Sequence, residues 1–389
     1  KLLLFLVFIG GVFSMKSQSY IGNYHDNYAG VQSVLFNPSS IVDSRFKTDI
    51  NIFSVSASVG NDLFGVNNFD AFDTNYSFID DAKLTPTANN NLTSNVDIVG
   101  PSVMFNIAPK HAMAVYTRSR TFANVIDFNG VIYQDLKNDV NLDNSFSLNS
   151  GNLSGVANSW GEIGLSYAAV ILDNKQHFLK GGLTLKYLKG VLNSYVDVEN
   201  IKILYNEDQI NPGNSTISTV GTVVYGGSQD FQEDYDMTNF NANSNGFGMD
   251  LGFTYEWRPD YEKYDVSNAK PNDNNFKSEN KYKLRFGISV TDIGSMTYKE
   301  AEQETFNVNG TISQDDFNAT SNIYDLLSSY YTIISTTNTI KAQLPTALHA
   351  DVDWNVYNKF YLNLNGDLGL IDNTTVNGNS IANSISLTP

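Results

Sequence analysis

From Gly246 to Tyr255 the chain reads Gly-Phe-Gly-Met-Asp-Leu-Gly-Phe-Thr-Tyr. Side chains of a strand alternate faces, so Phe247, Met249, Leu251, Phe253 and Tyr255 share one face, and Gly246, Gly248, Asp250, Gly252 and Thr254 the other. The same zigzag predicts strands over Asp49 to Gly60, Val96 to Ile107, Ala112 to Arg120, Trp160 to Ile171, Phe178 to Gly190, Tyr282 to Val290, Leu348 to Trp354 and Phe360 to Leu368. No buried-helix pattern lies between the copies to cover their apolar faces. A soluble sheet needs a second layer; a membrane barrel turns its apolar face to lipid instead. The pattern therefore predicts an all-β chain, a transmembrane antiparallel β-barrel.

The connections sort by length. Ala108-Pro109-Lys110-His111, Leu172 to Lys175 and Asn355 to Lys359 are tight turns. The alternate connections, Asn61 to Asn95, Thr121 to Ser159, Val191 to Asn245 and Gly294 to Leu344, are long and polar. Short periplasmic turns and long extracellular loops are the asymmetry of outer-membrane barrels. Arg258 to Asn280 breaks the rule on the short side. Within the last long connection, Asn318 to Ser335 carries apolar residues at helical spacing, which predicts a short helix on a loop. The strong strands before Asp372 are odd in number, and Ile381 to Ile385 begin another. Single-chain bacterial barrels use an even number, so closing strands are expected beyond Pro389.

Lys1, the apolar run Leu2 to Phe13 and the small polar exit to Ser19 have the order of a secretory signal peptide, over residues 1–18. The run is too short to cross a bilayer as a helix. A hatch or plug segment then occupies 19–48, and the barrel 49–389.

Composition narrows the function. With 41% apolar residues the chain is too polar for a bundle of membrane helices, as expected where every second strand residue is polar. It has 22 Tyr and 24 Phe, suited to strands and interfacial girdles. Trp160, Trp257 and Trp354 fall near predicted strand ends, the place of girdle residues. The absence of cysteine excludes disulfides, thiolate metal sites and lipoprotein acylation. A net charge of -17 with no basic stripe argues against nucleic acid. His25, His111, His177 and His349 are scattered, with no metal-ligand spacing. No nucleophile elbow or phosphate-binding Gly-rich loop is present. The sequence points away from an enzyme, and no cofactor or metal is expected.

Ala29-Gly30-Val31-Gln32-Ser33 followed by Phe36-Asn37-Pro38-Ser39-Ser40 resembles the opening motif of FadL-type and PorV-type barrels. Leu344-Pro345-Thr346-Ala347-Leu348-His349 with Asn358-Lys359-Phe360-Tyr361-Leu362 resembles a hairpin late in such barrels. The whole mature chain looks most like a Bacteroidota outer-membrane family of unknown function. That resemblance implies about 14 strands with the N-terminal segment folded inside as a hatch, turning at Asn37 and Pro38. It also implies residence in the outer membrane of a Gram-negative cell. In some such proteins a peptidoglycan-binding, OmpA-like domain follows the barrel.

The inward face is the candidate site. Lys186, Asp250, Lys283, Arg285, His349, Asp351 and Asp353 should face the lumen, with Asn363, Asn365 and Asp367. They would line a polar pore, seat the hatch, or satisfy one another across a filled barrel. The function expected is a non-enzymatic envelope barrel for assembly, docking or anchoring. Its partners would be outer-membrane lipid and other envelope proteins. The alternative is a FadL-like channel for small hydrophobic or amphipathic molecules.

Overall fold

A computed structural model describes residues 27–65, 81–137, 145–228, 244–264, 280–320, 322–358, 360–372 and 375–389. The expected signal peptide and His25 lie outside the described residues. The chain is mostly β and forms a 15-stranded sheet. Its order is a plain meander once collinear segments are joined. β1 (Thr48–Asn51) and β2 (Ser54–Asn61) face β6 (Ser102–Ala108) and β5 (Asn90–Val99). A two-residue pair, β3 (Phe64–Gly65) with β4 (Lys83–Leu84), stands apart. Then come β7 (His111–Phe128), β8 (Phe146–Asn174) and β9 (His177–Asn206), each antiparallel to the last.

Two segments share the next position. β10 (Thr216–Gly227) pairs with the far half of β9, and β11 (Ser244–Trp257) with its near half. β12 (Leu284–Asn307) runs back past both, and β13 (Gly310–Ser313) extends that path along β10. β14 (Thr332–Gln343) and β15 (Ala347–Tyr357) likewise descend in line beside β12. β16 (Phe360–Gly369) and β17 (Ser384–Thr388) complete the described sheet. No helix is long and apolar enough to cross a membrane among the described residues.

Burial follows the zigzag. In β11 every second residue from Ser244 to Thr254 is buried and those between are exposed. The outer face is apolar and uncovered: Phe247 is 71% exposed, Phe286 43% and Leu364 50%. Two stacked sheets would have hidden these three side chains. They belong to a continuous apolar surface with Ile163, Leu165, Leu183, Leu185, Leu251, Phe253 and Ile288.

The opposite face is enclosed. Reading up β9 gives its levels. At Lys180 and Gly182 lies an N-terminal segment of two 3-10 turns, Gly30–Leu35 and Pro38–Ile41. Its Val31, Val34, Leu35, Ile41 and Val42 pack with Val99, Met104, Ala112, Ala114 and Tyr116. Charged side chains surround Lys186. Leu188 and Tyr195 then join a cluster with Phe122, Trp160, Met296, Tyr298 and Ile340. Val198 joins a last one with Val223, Phe306 and Leu327.

Several expected connections are strand. Thr121 to Ser159 and Val191 to Asn245 were expected as long polar links, yet β7, β8, β9 and β10 take up much of them. Beyond the apolar belt both faces carry polar residues, so alternation disappears while pairing continues. Gly130–Lys137 is a helix that the pattern missed. Asn318 to Ser335, expected as one helix, holds the end of Gln314–Ala319, the whole of Ile323–Tyr330, and the start of β14.

Candidate functional site

The N-terminal segment is held by its turn. Asn37 accepts from the Ser39 amide at 3.0 Å and the Ser39 hydroxyl at 2.7 Å, capping the second 3-10 turn. Its own amide donates to the Phe253 carbonyl at 3.2 Å. Ser39 Oγ lies 2.7 Å from Thr254 Oγ1, and Ser289 donates to the Phe36 carbonyl at 2.6 Å. Gly182 and Gly252 sit opposite each other in register beneath this turn. A Cβ at Gly182 would fall 2.5 Å from Ser39 N, and one at Gly252 would fall 3.0 Å from Pro38 Cδ. The two glycines form a flat seat that only a bare backbone leaves open.

The far end of the segment is tied by charge. Arg258 contacts Asp43 at 2.7 Å and Glu256 at 2.6 Å, and its guanidinium lies 3.6 Å from the Phe178 ring centroid. Lys180 donates to the Val42 carbonyl at 2.9 Å. Burial works to raise the Asp43 pKa, but Arg258, Lys281, Lys180 and Arg45 outweigh it and hold the carboxyl below the usual aspartate range. At the near end Asp49 accepts from the Val31 amide at 2.8 Å. A polar cavity of about 30 Å³ remains beside the segment, between Asn37, Arg45, Lys180, Glu256 and Arg285. That is room for about one water.

Above the segment runs a layer of buried ion pairs. Arg118 pairs with Asp97 and, at 3.4 Å, with Glu162. Arg120 meets Asp292 at 2.6 Å. Lys186 bridges Asp292 at 2.6 Å and Asp250 at 2.7 Å. Glu162 also accepts from Trp160 Nε1 at 3.1 Å. Asp292 has φ 59° and bulges out of β12 opposite Asp250, whose carboxylate takes the Asp292 amide at 2.7 Å. The bulge aims its carboxylate between two cations.

A second group lines β12, β15 and β16. Arg285 lies 3.4 Å from Asp351 and 3.7 Å from Asp353, and donates to Asn27 at 2.8 Å. Tyr282 donates to Asp353 at 2.5 Å. His349 bridges Thr291 at 2.8 Å and Asp367 at 2.6 Å, with its ring 4.3 Å from that of Phe36.

Asn37 and Pro38 are thus in the seat, and Lys186, Asp250, Arg285, His349, Asp351 and Asp353 are on the buried face. Lys283 departs from its expected place: it precedes β12, and its ammonium reaches the Val356 carbonyl at 3.2 Å near the end of β15. Trp160 also departs. It is fully buried and stacked on Phe122, whereas Trp257 and Trp354 are exposed on the outer face. Sequence reasoning missed Arg118, Arg120, Glu162 and Asp292. The first three alternate with Ser119, Gly161 and Ile163 on predicted strands, a signal that was available; Asp292 lies at a bulge, where alternation fails.

No curated protein matches the sequence closely enough to count as a relative. The sequence profile of DUF5723, a family of unknown function, matches residues 38–389, from Pro38 in the seated turn through the sheet, and the chain belongs to that family.

Proposed function

We propose that this chain is a β-barrel of a Gram-negative outer membrane with a non-enzymatic role in envelope assembly, docking or anchoring. The uncovered apolar face supports the membrane. On β11 it runs from Phe247 to Trp257. At about 3.3 Å per residue and a tilt of roughly 40° that spans about 25 Å, the height of a barrel's lipid-facing band. Tyr167 and Tyr255 stand at its lower margin, each 2.7 Å from a turn histidine, His111 and His177. Monomers in water rarely expose so large an apolar patch.

The filled interior is the observation that favours docking over passage. A channel for hydrophobic molecules needs an apolar path beside the plug. Here the plug is pinned to β9, β11 and β12, and a layer of ion-paired side chains and then a packed aromatic cluster lie above it. The buried carboxylates of that layer face cations rather than a reaction space.

Reconstitution into lipid vesicles tests this reading. The protein is expected to insert and to pass neither ions nor a long-chain fatty acid. Steady conductance or saturable fatty-acid uptake would sink it in favour of the channel. Recovery of the barrel alone, at normal yield, from native membranes would count against docking.

A further inference from the structure

The upper half of β14 is an open edge. Residues 332–339 are exposed at every position, on both faces. β14 pairs with β12 and with no other named strand among the described residues. The neighbour that would cover its free side is β16, which stops at Gly369 opposite Ala347. The chain then turns inward. Leu370 donates to the Thr346 carbonyl, Gly378 bridges Gln343 at the foot of β14, and Asn377 is buried against Asn193. Among the described residues, none in that path pairs beside Thr332 to Thr339.

Natural proteins guard such edges with lysine, proline or a covering loop. This one reads Thr-Ile-Ile-Ser-Thr-Thr-Asn-Thr, uncharged and rich in β-branched residues, with Ile333 and Ile334 exposed. Its surroundings are mainly acidic, with Lys299 opposite Thr339 and Lys341 at its lower end. Between Lys299 and Lys341 the chain carries six acidic residues, Glu300, Glu302, Glu304, Asp315, Asp316 and Asp325, and no basic one. Glu304, buried on β12, pairs in register with Thr336, Glu302 is exposed beside it, and the helix bearing Asp325 packs on β14.

We infer that the edge of β14 from Thr332 to Thr339 binds an extended, basic segment of a partner protein by strand addition. Main-chain hydrogen bonds along roughly 26 Å of edge supply the attachment, and the acidic rim selects lysine- or arginine-bearing strands. This deepens the docking reading, because the edge stands beyond the apolar band.

The test uses the full chain in detergent micelles and three labelled nine-residue peptides. One alternates Thr and Val with Lys. The second replaces Lys by Glu. The third keeps Lys but carries N-methyl groups on alternate amides. The lysine peptide is expected to bind, with the other two roughly tenfold weaker or worse. Equal binding of the N-methylated peptide, or no binding of any, overturns the inference. Neighbouring amides point to opposite edges of a strand, so of Thr336→Pro and Thr337→Pro one spares the pairing with β12. That variant should keep the native heat-modifiable mobility and lose the lysine peptide; retained binding overturns the inference. Self-association abolished by the same proline, without peptide binding, would make the occupant a second copy and also overturn it. None of these outcomes bears on vesicle insertion or conductance, which test the sealed barrel separately.

Discussion

Arg120 on β7 and Asp292 on β12 meet at 2.6 Å, although β8, β9 and β11 lie between their strands in the sheet. Four strand spacings of about 4.8 Å would hold them roughly 19 Å apart in a flat sheet. The pair therefore records how tightly the sheet curls. Asp292 also neutralises Lys186. Replacing it by alanine strands the buried Arg120 and leaves Lys186 with Asp250 alone, which should cost about 3–5 kcal/mol. Denaturant unfolding in detergent, followed by tryptophan fluorescence, measures it; a loss under about 1 kcal/mol would mean that water reaches the layer.

The seat beneath Asn37 is testable by adding atoms. Gly252→Val should push Pro38 off the wall and cost about 1–3 kcal/mol, as overpacking does. The N-terminal segment should become cleavable by protease while β11 stays paired. Unchanged protection would show that the turn is not held by its fit to the glycines.

Leu251 separates lipid from water as the outer solvent. It lies near the middle of the band on β11 and is 40% exposed. In a bilayer Leu251→Arg should lose about 2–4 kcal/mol. On a water-facing surface the same change should stay within about 0.5 kcal/mol. Folding titrations in lipid vesicles give the answer, and the smaller value would remove the membrane assignment.

The Asp43–Arg258 tie sets a pH dependence. Asp43 has a depressed pKa in the folded chain. Its contribution is therefore complete above the unfolded value of about 3.9 and is lost as pH falls through the lower folded value. Protease protection of the segment should be flat from about pH 5 to 8 and fall below about pH 4. Asp43→Asn should lower protection at neutral pH and flatten that acid step. An acid step that is unchanged in the variant would assign it to another carboxylate.

Much of this fold can be read from alternation. β11 and the β8–β9 and β15–β16 hairpins were legible because outer and inner residues differ sharply there. Asn37 and Pro38 were legible as a turn motif, though not the glycines that receive them, since Gly182 and Gly252 lie far apart in sequence and are brought together by pairing. Where β8 and β9 continue past Trp160 and Leu192, polar and apolar residues mix and bulges shift the phase, as in Tyr195-Val196-Asp197-Val198. The period that marks a strand vanishes although its hydrogen bonds do not. Tyr282 looked collinear with Leu284 and Phe286, yet it turns inward to Asp353 because β12 begins only after it. Charge pairs such as Arg120 with Asp292 are invisible in a sequence, because they depend on how far the sheet rolls.

The bulge at Asp292 also sits at a joint in the wall. Its carbonyl accepts from Thr346 at 2.7 Å, at the joint where β14 gives way to β15. One residue thus ties the inner charges to the break between the lower wall and the protruding edge above. A strand drawn onto that edge would pull on the joint first, and through it on Arg120 and Lys186, so cargo held outside could be felt at the plug without any opening through the centre.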